Sequence, residues 1–364
     1  MDSEVLQAML PYLTDHFGNP SSIHASGRKA RAAVEDARRL IASLLHTHPA
    51  SIVFCSGGTE ANNWALRSAV LHGQIKQVVS SPLEHHAVLY TLQDLQNQGL
   101  ISLKMLPVDR HGRPLLEECI SILKSSNQVP TLVSVMHANN EVGTLIDLDK
   151  WGEACKQYGA WFHSDTVQTL GQFPFHLDQS PLDMAVASAH KFYGPKGVGF
   201  AYYNRALPLR HLHTGGGQER GLRPGTENIP AIVGMAKALE MAQNRAEQNA
   251  QHLATLKKEC IAMLNQHFSG WTQMGDPQNS LPSILNIGLQ TPLSQELFLF
   301  KLDLQGIDVS GGSACSSGAN EGSHVLKALE ADPNRNYCRI SFGKMNTLEH
   351  IALLKQALSH IMEA

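Results

Sequence analysis

The 364-residue sequence has no long apolar run, no block of like charge and no closely spaced pair of cysteines. No stretch approaches the roughly 20 apolar residues that a membrane span needs, and the N-terminus lacks the pattern of a signal peptide. The formal net charge of −3 gives no reason to expect nucleic acid or an acidic membrane surface as a partner. We therefore expect a protein that binds neither nucleic acid nor membrane.

The six cysteines are scattered along the chain and include no Cys-x-x-Cys pair. This spacing indicates neither a metal site nor a disulfide framework, and it fits the reducing cytoplasm. Most of the cysteines lie in or beside helical or strand patterns, where a cysteine acts as a small apolar residue. Cys315 is the exception, because the surrounding Ser310-Gly-Gly-Ser-Ala-Cys-Ser-Ser-Gly has few apolar residues to bury it. We predict an accessible thiol there.

Apolar runs that favour strands alternate with helical periodicity over the first part of the chain. The predicted strands are 52–54, 77–81, 102–107, 131–136, 161–164 and 184–187. This alternation is typical of an α/β domain with a mostly parallel sheet covered by helices. A long helical stretch over 229–268 follows, and strands at 283–288, 307–310 and 339–342 with two helices then predict a smaller α+β domain. We place the large domain at 13–245, and the small one at 1–12 with 246–364.

Polar residues cluster where predicted strands end, which is where ligands bind in such sheets. These clusters are Glu84-His85-His86, His137-Ala-Asn-Asn-Glu141 and Asp165-Thr-Val-Gln168. Taken singly, each is more often a feature of capping or turn chemistry. Ser56-Gly-Gly-Thr59 precedes a predicted helix, and it fits either an anion site or a simple N-cap turn.

Lys191 follows the apolar strand that ends at Ser188, with His190 beside it and glycines after it. Burial lowers the pKa of a lysine and frees its amine for covalent chemistry. By itself such a lysine is more often an ordinary surface residue. Its position relative to the other strand ends favours the chemical interpretation.

Together these segments resemble the NifS/IscS-type cysteine desulfurases, in the same order over nearly the whole chain. The matching segments are Phe17-Gly-Asn-Pro-Ser-Ser-Ile-His24, Ser56–Asn62, Glu84-His85, His137–Gly143, Asp165–Gln168, Ser188-Ala-His-Lys191, Arg220–Asn228 and Ser313-Ala-Cys315. Such enzymes are fold-type I, class-V aminotransferase-like proteins that depend on pyridoxal 5'-phosphate. The resemblance therefore implies that cofactor and that fold.

The resemblance also implies a role for each matching residue. Lys191 would form a Schiff base with the cofactor, Asp165 would pair with the pyridine nitrogen, His85 would stack on the ring, and Gln168 would hydrogen-bond the phenolic oxygen. Gly58, Thr59, Ser188 and His190 would hold the phosphate, joined by Thr226 from the partner subunit of a homodimer. Asn140 would contact cofactor and substrate, and Arg339 would bind the substrate carboxylate. Lys191, His85 and Cys315 would be catalytic, with Cys315 as the nucleophile.

The implied activity is conversion of L-cysteine to L-alanine, with the sulfur left on Cys315 as a persulfide. An unspecified acceptor protein of iron–sulfur cluster or thiolation pathways would then take that sulfur. A selenocysteine lyase or another β-lyase on the same scaffold is an alternative. The chain opens with Met1-Asp-Ser-Glu, without the strand and Ala-Thr-Thr-Pro-type turn usual in the family. A catalytically impaired paralogue with a binding role is therefore a third possibility. The tail by which some members dock a scaffold protein is also not found after the last helix.

Overall fold

The computed structural model describes residues 1–126, 128–312 and 322–363. These residues form two compact units. The first unit comprises residues 1–106, 116–137 and 147–246, and the second comprises 107–115, 138–146 and 247–364 apart from the residues outside the description.

The first unit is built on a seven-stranded sheet in the order β1-β7-β6-β5-β4-β2-β3. Its strands are β1 (Ile52–Cys55), β2 (Gln77–Ser80), β3 (Ser102–Met105), β4 (Thr131–Ser134), β5 (Trp161–Asp165), β6 (Met184–Ser188) and β7 (Gly199–Tyr203). All pairs are parallel except the two made by β7. β6 is buried along its whole length, as expected for a central strand covered on both faces.

Helices flank this sheet, and their apolar residues recur at helical spacing, which gives each helix an apolar face. They are α1 (Ser3–Thr14), α2 (Ala25–Leu44), α3 (Gly58–Leu71), α4 (His86–Asn97), α5 (Leu116–Ser125), α6 (Leu148–Gln157) and α7 (Ile229–Asn244). In α2 the buried stripe runs from Ala30 through Val34 and Ala37 to Ile41. The main core of this unit joins α3 and α4 to the inner strands.

The second unit has a three-stranded antiparallel sheet in the order β10-β9-β8. Its strands are β8 (Thr272–Met274), β9 (Ile284–Leu289) and β10 (Asn336–Ser341), and its helices are α8 (Ala246–His267), α9 (Gln295–Asp303), α10 (His324–Ala328) and α11 (Leu348–Glu363). Residues of α8, α9 and α11 pack with β9 and β10 in a separate core. This unit is the predicted α+β arrangement.

Several elements differ from the sequence-based prediction. The predicted strand at 307–310 contributes only an isolated bridge between Ser310 and Arg339. The single long helix predicted over 229–268 is two helices, because the chain departs from helical geometry at Arg245. Strands β7 and β8 were not predicted.

The bounds of the compact units differ from the predicted domains in three places. Residues 1–12 lie in the first unit, where Val5 and Met9 are buried and Met9 packs against Gly234 of α7. Residues 107–115 and 138–146 lie in the second unit, where Thr144 pairs with Ser280. These three segments therefore belong to the unit in which they pack, although their place in the sequence predicted the other one.

Among the described residues, no helix combines the length and apolar character needed to cross a membrane. The same residues contain no group of three or more histidine, cysteine or acidic side chains arranged to hold a metal ion.

Candidate active site

An open helix N-terminus follows the first strand of the first unit. β1 ends at Cys55, and α3 begins at Gly58 with Gly57 as its N-cap. Gly57 has φ 156° and supplies no side-chain cap, so the first-turn N–H groups of α3 face outward. Glu60 instead turns back and accepts a hydrogen bond from the Ser56 N–H (2.6 Å). Gly58 and the exposed Thr59 thus begin a helix suited to binding an anion.

The end of β6 lies beside this helix start. A side chain added at Gly57 would meet Ser188 Oγ at 3.7 Å. Ser188 Oγ is also 2.9 Å from His190 Nδ1. Partial desolvation of the ring and the charges of Lys191 and Lys196 lower the pKa of His190. The structure therefore brings Ser188 and His190 to the α3 terminus, as predicted for a phosphate site.

Lys191 lies in a short 3₁₀ helix, Ala189–Phe192, directly after β6. It is half-buried. β6 pairs in parallel with β5, and Asp165 at the end of β5 pairs with Val186. Lys191 and Asp165 therefore follow adjacent strands at the same edge of the sheet.

Asp165 is a buried carboxylate oriented by two donors. Asn62 Nδ2 donates to Asp165 Oδ2 (2.8 Å), and the Val167 N–H donates to Oδ1 (2.9 Å). Gln168 lies three residues further on and is half-buried. Asn62 was not predicted to have a role, although it lies on α3 one turn after the anion-binding residues.

The Glu84-His85 pair lies between β2 and α4. His85 is the N-cap of α4, and its Nδ1 accepts the Ala87 N–H (3.0 Å). Glu84 is fully buried, and its Oε1 accepts the Met136 N–H just beyond β4 (2.7 Å). Burial raises the pKa of the Glu84 carboxyl well above its usual value, and the charge of Asp165 adds to that rise. Glu84 thus ties the segment that carries His85 to the end of β4.

In the second unit, Arg339 and Asn140 lie in contact. Arg339 Nη1 donates to the Asn140 carbonyl (2.7 Å), and Nη2 donates to Ser310 Oγ (3.3 Å). Within the described residues, Arg339 Nε and Asn140 Oδ1 are buried without a hydrogen-bond partner. Burial lowers the pKa of Arg339, against the opposing effect of Glu141. Two polar groups are therefore available beside each other for a ligand.

The segment that contains Cys315 is anchored at both sides within the second unit. On one side Ser310 exchanges two backbone hydrogen bonds with Arg339 (3.2 and 2.7 Å). On the other, Ser323 caps α10 by accepting the Leu326 N–H and donates its hydroxyl hydrogen to the buried Glu141 carboxylate. Cys315 itself lies outside the described residues.

Comparison with known proteins shows which family the chain belongs to. Residues 1–354 match the family model described as aminotransferase class-V. The chain belongs to the class-V aminotransferase family. This class-V chain is 38% identical to the cysteine desulfurase IscS of Dictyoglomus turgidum, over 99% of its own length and 91% of the relative. It is also 38% identical to the putative cysteine desulfurase IscS 1 of Bacillus subtilis, over 100% and 95% of the two chains.

Solved structures agree with this class-V assignment. A NifS-like protein superposes with a TM-score of 0.91 at 35% identity, covering 100% of this chain and 96% of the other. A NifS-like protein from Rickettsia africae gives 0.89 at 29% identity, covering 100% and 97%. The predicted resemblance and the fold-type I fold are thereby confirmed, and pyridoxal 5'-phosphate is confirmed as the family's cofactor.

Proposed function

We propose that this chain is a cysteine desulfurase, which uses pyridoxal 5'-phosphate to remove sulfur from L-cysteine and releases L-alanine. The observation that carries the proposal is full-length similarity to proteins named cysteine desulfurase, at 38% identity. We also propose that individual residues have the roles that the family resemblance implies.

The first unit fits the cofactor. The open N–H groups of Gly58 and Thr59, with Ser188 and His190, would hold its phosphate. Asp165, oriented by two donors, would pair with the ring nitrogen, while His85 would stack on the ring and Gln168 would bind its phenolic oxygen. Lys191 would hold the cofactor covalently. When bound, the cofactor supplies an electron sink that stabilises negative charge at the substrate Cα.

The substrate would be held through its carboxylate. Arg339 and Asn140 present buried polar groups that lack partners among the described residues, and a guanidinium binds a carboxylate in a two-point fork. We assign Asn140 to the cofactor as well as to the substrate. The hydrogen bonds that Arg339 donates to the Asn140 carbonyl and to Ser310 Oγ would keep the guanidinium oriented.

Sulfur transfer is assigned to Cys315. Its thiolate would attack the sulfur of L-cysteine, forming a sulfur–sulfur bond as the carbon–sulfur bond breaks. The electron pair of the broken bond stays on carbon, and a proton completes the methyl group of alanine. The terminal sulfur of the Cys315 persulfide then passes to an acceptor protein that serves iron–sulfur cluster assembly or thiolation.

We also propose a homodimer that works in the cytoplasm. Segment 17–24, which matches the family, has two large exposed apolar side chains, Phe17 (85% exposed) and Ile23 (90% exposed). Such exposure favours burial of these side chains against a second chain. Thr226 would reach the cofactor phosphate of the partner. The five cysteines of the described part are free thiols, in keeping with a reducing compartment.

The proposal is tested with Cys315→Ser. The variant should retain the yellow cofactor and bind L-cysteine, yet form almost no alanine, because a serine hydroxyl is too weakly ionised to replace a thiolate. Alanine and sulfide are measured after addition of L-cysteine and a reductant. Mass spectrometry after one turnover should find the extra sulfur on the peptide containing Cys315.

Cys55→Ser and Cys260→Ser provide matched controls. Both cysteines are buried, and burial raises the pKa of Cys260 to about 12, so neither supplies a thiolate. These variants should retain turnover. Alanine formation by Cys315→Ser at the wild-type rate would instead support a lyase, and a wild type without turnover would support the impaired paralogue.

A further inference from the structure

The loop that carries Thr226 has a strained backbone at its start. Glu219 and Arg220 are successive non-glycine residues with φ 48° and φ 57°, in the left-handed region. Side chains of this type adopt that region only where surrounding contacts impose it. The contacts that impose it here involve residues to which sequence analysis assigned no role.

The central contact is a buried ion pair between Arg38 of α2 and Glu219. Arg38 Nη1 and Nη2 donate to the two carboxylate oxygens at 2.9 and 2.7 Å. The two side chains are only 2% and 1% exposed. Arg38 Nη1 also donates to the Ile52 carbonyl (2.9 Å), and Glu219 Oε2 accepts the Phe54 N–H (2.8 Å). The pair is thus fastened to β1 immediately before the anion-binding residues.

Three further contacts lead from the loop to β1 and α3. Arg220 Nη2 donates to the Ile52 carbonyl (2.7 Å). Arg223 Nε donates to Glu60 Oε1 in the first turn of α3 (2.8 Å). Trp64 Nε1, one turn later, donates to the Leu222 carbonyl (3.1 Å). The loop is therefore attached to β1 and to α3, whose first turn forms part of the proposed phosphate site of its own subunit.

A buried ion pair contributes little net stability, because desolvation of the two charges offsets their attraction. Its two-point geometry does fix orientation. We propose that Arg38 and Glu219 are positioning residues, which hold loop 217–226 so that Thr226 is presented to the cofactor phosphate in the partner subunit. This inference rests on the proposed function and deepens it: each subunit's β1 and α3 would support the neighbouring site as well as their own.

The test uses the double variant Arg38→Met/Glu219→Gln, which removes both charges while the glutamine carbonyl can still accept the Phe54 N–H. Mixed dimers also carry Lys191→Ala in one subunit, so that only one site can bind the cofactor covalently. In the first arrangement, one subunit carries both the double variant and Lys191→Ala, and its partner is unchanged. The intact Lys191 is then in the unchanged subunit, and its site depends on the altered loop. In the second arrangement, one subunit carries the double variant and the other carries Lys191→Ala. The intact Lys191 is then in the subunit with the double variant, and its site depends on an unaltered loop.

The readout is the concentration of pyridoxal 5'-phosphate that half-saturates Lys191, measured by borohydride trapping. We expect it to rise about tenfold in the first arrangement, the order expected for losing one hydrogen bond to a charged group. It should be unchanged in the second. Thr226→Ala in place of the double variant should give the same pattern.

The inference would be overturned if the half-saturating concentration were equal in the two arrangements, or if it rose only in the second. Either result would indicate a purely structural role, because such a role acts within its own subunit. Arg67→Met/Asp94→Asn, which removes another ion pair of the first unit, is the control and should show no difference between arrangements. If the double variant does not fold, Arg38→Lys is measured in the same two arrangements, because lysine keeps the charge but cannot make the two-point hydrogen bond to Glu219. Failure of the proposed function is separate, since the wild-type dimer would then make no alanine.

Discussion

Lys257 in α8 is a half-buried cation held by two acceptors. Its Nζ donates to Ser280 Oγ (2.8 Å) and to the Leu281 carbonyl (2.9 Å). Burial lowers the pKa of Lys257 to about 8, although the charge of Asp276 opposes that shift. The folded protein therefore releases this proton at a lower pH than the unfolded chain, in which lysine has a pKa of about 10.4.

We predict that this lysine makes stability rise with pH. Between about pH 8 and pH 10.4 the unfolded chain holds a proton that the folded chain has released, so the free energy of unfolding increases across that window. Urea unfolding should show the wild type gaining stability relative to Lys257→Met as the pH is raised. Lys258→Met, at an exposed neighbour, should track the wild type. Parallel curves for wild type and Lys257→Met would contradict the prediction.

The sequence was informative about residues whose chemistry is local. Asp165 and Lys191 could be chosen because each follows an apolar strand, and strand ends are where such sheets bind ligands. The contacts made by Asn62, Glu84 and Glu219 could not be predicted, because their partners lie far along the chain. Glu219, for example, meets Arg38 across a separation of 181 residues. The only sequence signal for this pair was Arg38, a charged residue within the apolar stripe of α2.

At the scale of elements, β7 determines how closely β1 and β6 approach each other beside the proposed phosphate site. Gly199 pairs with Cys55 of β1 on one side and with Ser188 of β6 on the other. A Cβ atom at Gly199 would lie 2.3 Å from the Ala187 carbonyl oxygen and 2.9 Å from Gly57 Cα. Only glycine leaves room for these three backbones.

We predict that Gly199→Ala separates these strands. The overlap with backbone atoms should lower the free energy of unfolding by about 1–3 kcal/mol, and cofactor affinity should fall because Gly57 and Ser188 move apart. Urea unfolding and titration with pyridoxal 5'-phosphate measure the two effects. Gly217→Ala is the control for the unfolding measurement, since nothing lies within 4 Å of its added carbon. Wild-type stability and cofactor affinity in Gly199→Ala would refute this account.

The elements that sequence analysis missed are short and lack a clear pattern. β7 begins with glycine and follows a glycine-rich turn, which is not a pattern typical of a strand, and its antiparallel pairing depends on β1 and β6. Conversely, 307–310 has strand-like composition but only Ser310 finds a partner. Longer elements such as α2 and β6 were predicted correctly, because their periodicity or continuous apolar character is strong.

At the scale of the whole molecule, the apolar side chains of Phe17 and Ile23 are the surface feature that most needs a partner. We predict a homodimer in sedimentation equilibrium, with twice the mass of one chain. Ile23→Asp should weaken it, because a carboxylate would be desolvated on association. Leu304→Asp, at another exposed apolar position (68%), should leave the dimer intact. A wild-type monomer that turns over cysteine would rule out the dimer and composite sites.

The attachment of Ser310 to Arg339 and of Ser323 to Glu141 has an evolutionary consequence. The anchors lie on either side of the segment that contains Cys315, so insertions or deletions between them need not alter the residues that would hold the substrate carboxylate. The entropic penalty of lengthening a connection between two fixed ends is small, about 0.6 kcal/mol for each doubling. If Cys315 carries the sulfur as proposed, a lineage could therefore vary the reach of this cysteine, and so change the recipient of the sulfur, while inheriting the same amino-acid site.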